Sequence, residues 1–493
     1  MSFALIFLSL ITIDPRYHTL DEIARELDSI AQHYPEITHL DTIAYSTTDS
    51  LPVFAMKISD NANIEEDEPA VLFVACHHAE EILGVEICMY MINDLVHNYG
   101  VDSLITHWIN NREIWIIPLL NPEGHSIVMK GIDTTWRKNK HDNNNNGQFD
   151  PDFDGVDLNR NYDFYWSEGG SSSPPSEYYR GPSPFSENES RALAELARNQ
   201  HFVFCNSYHS ARTGLGEVIY FPWHGACGYP PDFTFLREIA DSMAKRIVND
   251  AGNGTYNALP GWSVDGKARN FLYGVYGTFA YTVEVSTTCI QPGWMVDDIC
   301  ERNLAGAYYL LERVEGSGIS GHIYDQKTDE PLSAEVIISG YYDPELPARR
   351  SDEEFGRFIR LLTAGTYNLE IKKNGYETVY LDGIEVEQDR LTELNIHLRR
   401  ITDESSIRKK KGIEVIPNPT YGYILIQLKD TNINQLKIYD SAGRLTKIFK
   451  NPETRIVWQC DDCSKRIVPN GIYWVIGYED DKRTVIKTIV LHN

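Results

Sequence analysis

The chain has 493 residues, with 71 acidic against 45 basic side chains and a formal charge of −26. That imbalance excludes a general binder of nucleic acid or of anionic membrane. Eight cysteines in so long a chain exclude a disulfide-stapled scaffold, and the length leaves room for roughly two to four domains of about 150 residues.

The first element in chain order is the apolar run SFALIFLSLITI. It is shorter than the roughly 20 residues that cross a bilayer, so no stable membrane insertion is expected, and 1–14 reads as a clipped signal segment, with an ordinary buried strand as the alternative. The run TLDEIARELDSIAQHYP follows, with Leu20, Ile23, Ala24, Leu27, Ile30 and Ala31 on one face. Thr19 and Glu22 are placed as a capping box and Pro35 ends the pattern, which predicts an amphipathic helix. Strand-like runs then appear at VFAMKI, AVLFVAC, EIWIIPLL, FVFCNSY and FAYTVEV, between helical patterns near 84–98, 187–199, 233–249 and 297–314. Alternation of this kind predicts an α/β domain with a mostly buried, mixed sheet over 15–316.

After Gly316 the helical period disappears. Short strands such as GHIYD, AEVIIS, TYNLEIKK and LTELNIHL predict a small β-sandwich over 317–400, followed by a polar linker at 401–412 and a second β-sandwich at 413–493. Cys460 and Cys463 form CDDC, which without a second pair or a βαβ setting reads as two free thiols or a local disulfide.

His78 and Glu81 stand three apart just after AVLFVAC, a spacing that lets two ligands meet on one side of a turn and share a metal. Spacing alone is a weak signal, because His33/Glu36 and His77/Glu80 repeat it. A stretch at 136–162, WRKNKHDNNNNGQFDPDFDGVDLNRNY, sets two basic clusters on either side of an Asn/Asp/Gly tract. Counted from Asp142, oxygen-bearing side chains fall at places 1, 3, 5 and 9 (Asp142, Asn144, Asn146, Asp150), with Gly147 at place 6, as at the start of an EF-hand loop. Place 12 is Phe153, so Ca2+ and a metal-free turn-rich loop both stand as readings of the tract.

The segments YHTLDEI, HHAEEILGVE, PLLNPEGH, WRKN, GVDLNRNYD, YRGPSPFSENES, SYHSARTGLGEVIYFPW and YTVEVS resemble, in order and spacing, the zinc metallocarboxypeptidases of the carboxypeptidase A and T type. The resemblance implies one Zn2+ on His78, Glu81 and His209, with Glu284 as general base and Arg137 polarising the scissile carbonyl. It further implies that Asn159 and Arg160 grip a peptide's terminal carboxylate, that Tyr256 covers the bound substrate, and that Val264 helps set an apolar side-chain pocket. The loop departs from the family pattern by an extra residue between Tyr256 and Asp265 and by Gly266 where an aromatic is usual.

The 317–400 module resembles the carboxypeptidase regulatory-like, transthyretin-type sandwich, and the last module the C-terminal sorting domains of the type IX secretion system. Together these imply a secreted or cell-surface enzyme that acts on peptide or protein C-termini and meets a secretion machinery. A hydrolase of cell-wall peptides and a silent extracellular binding protein are the alternatives, and the filled catalytic positions disfavour the second.

Overall fold

The computed structural model describes residues 13–211, 216–224, 228–263, 265–401, 412–416, 420–421, 423–429, 433–479 and 482–491. The apolar N-terminal run up to residue 12, linker residues 402–411 and Val264 lie outside the described residues. The chain divides into two compact units, one reaching to Arg399 and the other starting at Arg400.

In the first unit, helices and strands come in the order α1 (Leu20–His33), β1 (Thr38–Tyr45), β2 (Pro52–Ile58), β3 (Ala70–Ala75), α2 (Leu83–Asn98), α3 (Ser103–Ile109), β4 (Glu113–Ile117) and α4 (Pro122–Met129). They continue with α5 (Asn188–Gln200), β5 (Phe204–His209), β6 (Val218–Phe221), α6 (Phe233–Ala244), β7 (Asn257–Pro260), α7 (Ala268–Phe271), β8 (Phe279–Glu284) and α8 (Gly293–Arg313). The capping box forms as its residue types dictate: the Thr19 hydroxyl accepts from the Glu22 N–H, and the Glu22 carboxylate accepts from the Thr19 N–H at 2.9 Å. Ile23, Leu27 and Ile30 are the buried stripe of α1.

The eight strands make one mixed sheet in the order β1-β2-β4-β3-β5-β8-β6-β7. Its centre, β4-β3-β5-β8, is parallel, and every residue of β3, β4 and β5 is buried. Continuous apolar runs are what a strand covered on both faces requires. The edge strand β1 pairs only with β2 and is mostly half-exposed, so its sequence carries little period.

Strand order sets the position of the site. From β3 the chain crosses through α2 and α3 to β4 on one side, whereas β5 lies on the other side and leads on towards β6 and β8. Ligands of open α/β sheets bind at the carboxyl ends of strands where the order reverses. The residues after β3 and at the end of β5 occupy that switch point.

The rest of this unit is a sandwich of β9 (Gly318–Asp325), β10 (Glu335–Ile338), β11 (Arg357–Leu361), β12 (Gly365–Lys372), β13 (Val379–Val386) and β14 (Leu391–Leu398). Two three-stranded sheets, β10-β12-β13 and β11-β9-β14, close on Ile319, Ile323, Val336, Phe358, Leu369 and Leu398. It is bound to the large sheet domain by an ion pair, buried Arg360 lying 3.3 Å from Asp232, and by a hydrogen bond that Arg349 donates to the Tyr273 carbonyl at 2.7 Å. The change of character after Gly316 is therefore a change of secondary structure inside one compact unit.

The second unit holds β15 (Gly412–Ile416), β16 (Thr420–Tyr421), β17 (Ile424–Lys429), β18 (Gln435–Asp440), β19 (Leu445–Lys450), β20 (Arg455–Trp458), β21 (Gly471–Glu479) and β22 (Lys482–Leu491). A three-stranded sheet, β15-β17-β20, and a five-stranded one, β16-β22-β21-β18-β19, enclose Ile426, Ile438, Trp458 and Val475. Cys460 and Cys463 are free thiols, Cys460 buried and Cys463 exposed.

Candidate active site

His78 and Glu81 lie on the turn between β3 and α2; the Glu81 N–H closes it on the His78 carbonyl at 3.2 Å. His209 is the last residue of β5, beside β3 in the parallel sheet. His78 Nδ1 is 2.8 Å from one Glu81 oxygen, and His209 Nδ1 is 2.7 Å from the other and 3.1 Å from His78 Nδ1. Two ring nitrogens and a carboxylate facing one another at these distances form the donor set that a divalent cation takes, and all three residues are buried. Burial pushes the Glu81 carboxyl up, but the two histidines win and hold it well below the usual range. It is ready to ligate as an anion.

The other face of His78 is held by Asp157. His78 Nε2 lies 3.2 Å from Asp157 Oδ1, and the Arg137 Nε donates to Asp157 Oδ2 at 3.1 Å. A carboxylate on the far nitrogen of a ligating histidine fixes its tautomer and raises its basicity. Asp157 also caps the short turn Leu158–Arg160 by accepting from the Asn159 N–H at 2.9 Å. One buried carboxylate thus joins His78, the Arg137 cluster and the Asn159-Arg160 cluster. Tyr178 joins the two clusters again from the solvent side, its ring lying 5.2 Å from the Arg137 guanidinium carbon and 5.7 Å from that of Arg160. Neither Asp157 nor Tyr178 was legible as such, although Asp157 stands in the quoted GVDLNRNYD.

Glu284 ends β8 and is the direct register partner of His209, so the two share a face of the sheet. Burial and repulsion from Glu81 push its carboxyl up to about 8, against the pull of His78, Arg137 and Arg269. His77 takes no place in the ligand set: its Nε2 lies 3.0 Å from the Tyr162 hydroxyl and its ring stacks on His209, a packing role.

The wall of the cleft differs from expectation. Tyr256 is only 3% exposed, and its hydroxyl accepts from the Ser286 N–H at 2.9 Å. Its own N–H bonds to the Ile247 carbonyl as the chain enters β7, which turns the ring into the core. The structure thus sets the Tyr256 ring in the core, and the exposed ring of this loop is Trp262, at 78%. Val264 lies outside the described residues. Gly266, with φ at +29°, lets the loop press against the clamp, since a Cβ there would meet the Arg160 carbonyl at 2.5 Å.

Across the Asn/Asp tract, Asp142 accepts from the N–H groups of Asn146 at 3.2 Å and Gly147 at 2.8 Å. Asn144 and Asn146 both donate their amides to one Asp150 oxygen, at 2.8 and 2.7 Å. Buried Asp154 anchors the tract by accepting from Asn143 and Asp150.

Comparison with known proteins agrees with this geometry. The zinc carboxypeptidase family model matches residues 23–306, and a secretion system C-terminal sorting domain matches residues 414–492. Carboxypeptidase A2 of Rattus norvegicus is 27% identical over 311 residues, 60% of this chain and 70% of that protein. A zinc carboxypeptidase of Saccharothrix mutabilis subsp. capreolus is 26% identical over 300 residues, 57% of this chain and 64% of that protein. Carboxypeptidase D of Homo sapiens is 24% identical over 421 residues, 81% of this chain and 28% of that protein. Among solved structures, thrombin activatable fibrinolysis inhibitor has the same fold, with a TM-score of 0.54 at 24% identity over 60% of this chain and 76% of that one. With a candidate ligand set gathered at the sheet's switch point and more than half its length matched, the chain belongs to the zinc carboxypeptidase family.

Proposed function

We propose that His78, Glu81 and His209 hold the zinc ion and that the surrounding residues remove the C-terminal residue of peptides and proteins. The observation that carries this reading is the convergence of His78 Nδ1, His209 Nδ1 and both Glu81 oxygens, with Glu284 in register with His209. A bound zinc ion supplies a Lewis acid for the scissile carbonyl and lowers the pKa of water. Glu284 takes the proton from the attacking water and returns it to the departing amine, and its raised affinity for protons suits both halves of that task. Arg137, held on Asp157, donates to the oxygen that becomes negative. Asn159 and Arg160 bind the peptide's free carboxylate, which restricts cleavage to chain ends. Cleavage of acylated dipeptides compared with their C-terminal amides tests the reading: the acids should be cleaved and the amides spared, and equal rates would make the protein an endopeptidase. Neither cell-wall hydrolysis nor silent binding is favoured, since the relatives are carboxypeptidases.

The sorting-domain match supports secretion or display at the cell surface, with the second unit as the part that a secretion machinery reads. No described helix is long and apolar enough to cross a membrane. The 317–400 sandwich is proposed as a regulatory-like domain, supported by its two three-stranded sheets.

Calcium in the tract is a second reading, favoured by the cradle that Asp142 makes for the Gly147 N–H. The described loop closes through the Asn144 and Asn146 amides on Asp150, so an ion would need both carboxamides turned to offer oxygen. Calorimetric titration with calcium, and its loss in Asp142→Ala, is the test; no heat and no thermal shift at millimolar calcium leaves a hydrogen-bonded loop.

A further inference from the structure

Among the buried arginines, Arg269 stands apart. Arg112 donates to the Leu311 carbonyl at 2.7 Å and pairs with Glu315 at 2.9 Å; Arg360 reaches Asp232; and the half-buried Arg137 reaches Asp157. Arg269 is 6% exposed, its Nε has no hydrogen-bond partner, and among the described residues its guanidinium makes no ion pair. Its nearest described companions are the Tyr220 ring, 5.9 Å from the guanidinium carbon, and the Gly261 backbone, where a Cβ would come within 2.3 Å of Nη2. The Arg269 Nε is thus a buried donor left without an acceptor, which a fold rarely tolerates without a use for it.

The two carboxylates that act on Arg269 are both committed. Asp265 takes the Lys267 ammonium at 2.5 Å and the Ser263 hydroxyl. Glu284 faces the metal ligands as the proposed general base. Arg269 is also held rigidly against the clamp: the preceding Ala268 N–H donates to the Asn159 side chain at 3.0 Å, and the following Asn270 amide donates to the Ser263 carbonyl at 2.7 Å. The cleft wall therefore carries Arg160, Lys267 and Arg269 against one paired aspartate. A C-terminal glutamate or aspartate brings two carboxylates, and the Asn159-Arg160 clamp accounts for only one.

We propose that Arg269 receives the side-chain carboxylate of the residue being released, so that the enzyme prefers peptides ending in glutamate or aspartate. The proposal rests on the carboxypeptidase reading above and replaces the apolar preference read from Val264. A C-terminal lysine or arginine meets like charge in the same place, and an apolar residue leaves the guanidinium desolvated and unmatched.

The test is kcat/KM of the zinc-loaded enzyme on acylated dipeptides ending in Glu, Asp, Leu, Phe and Lys, for wild type and for Arg269→Met and Arg269→Lys. The wild type should favour Glu over Leu by about 100-fold, as a site built around a charged partner does. Arg269→Met should abolish or invert that ratio, and Arg269→Lys should restore part of it. A structural role alone would lower all substrates together and leave the ratio unmoved. Wild-type preference for Leu, Phe or Lys, or a ratio unchanged in Arg269→Met, overturns the proposal. Calorimetric binding of the same peptides to Glu284→Gln gives the ratio without turnover, so absent hydrolysis sinks the catalytic reading while binding still decides on Arg269. Unchanged thermal unfolding and zinc content establish that each variant folds.

Discussion

The floor of the cleft and its wall were written into the sequence differently. On the floor, His78, His209 and Glu284 follow or end adjacent parallel strands, so sheet register alone brings them together. On the wall, the sequence between Tyr256 and Asp265 carries an extra residue relative to the family pattern, and no sheet register fixes the residues that join β7 to α7. In the structure Tyr256 turns inward to accept from the Ser286 N–H, and Arg269 follows Ala268, whose N–H donates to the Asn159 side chain. Chemistry set by strand ends tolerates loop variation, whereas specificity set by loops follows it.

The largest effect should come from the floor. His209→Ala removes one of the three proposed ligands, so zinc content measured by atomic emission should fall close to zero and turnover to background, with the circular dichroism spectrum kept. Full zinc occupancy in that variant would place the metal elsewhere. Glu284→Gln should come next, retaining zinc and peptide binding while losing about 10² to 10⁴ in kcat. Near-normal turnover there would falsify its role as general base.

Much of the floor was legible and little of the wall was, for physical reasons. Buried strands such as AVLFVA announce themselves as continuous apolar runs, and α1 as a capped stripe. The half-exposed β1 and the four-residue β6 and β7 carry too few residues for a period to emerge. Three ligands recognised together in motif order outweighed the two other HxxE spacings. Arg269 had no such company: no motif in the sequence singles it out, and its burial with an unpartnered Nε does. Asp157 likewise reads as a turn former until its two oxygens are seen on His78 and Arg137.

Asp157 sharpens the comparison because it ties wall to floor. Asp157→Asn keeps the shape and a side-chain oxygen to cap the Leu158–Arg160 turn, but removes the charge behind His78. Zinc affinity should fall about 10- to 100-fold, as for other carboxylates behind ligating histidines. KM should rise as well, since Arg137 and the clamp lose their common anchor. Competition with a chromophoric chelator measures the first effect and steady-state kinetics the second; a change in KM with zinc affinity intact would make Asp157 a wall residue only.

The smallest effect distinguishes the two aromatic rings of the wall. Tyr256→Phe deletes one hydroxyl that accepts from the Ser286 N–H inside the core, a loss of about 1 kcal/mol for a neutral hydrogen bond. In a unit of this size that corresponds to a fall in Tm of about 2 °C. A ring that covers substrate would instead leave Tm alone and raise KM, because its hydroxyl would act only in the complex. Tyr256→Phe should therefore move Tm and spare KM, while Trp262→Ala, which removes a ring that is 78% exposed, should spare Tm. If Tyr256→Phe raises KM severalfold at unchanged Tm, the ring swings out of the core to meet substrate, and the wall is as conserved in its function as the floor.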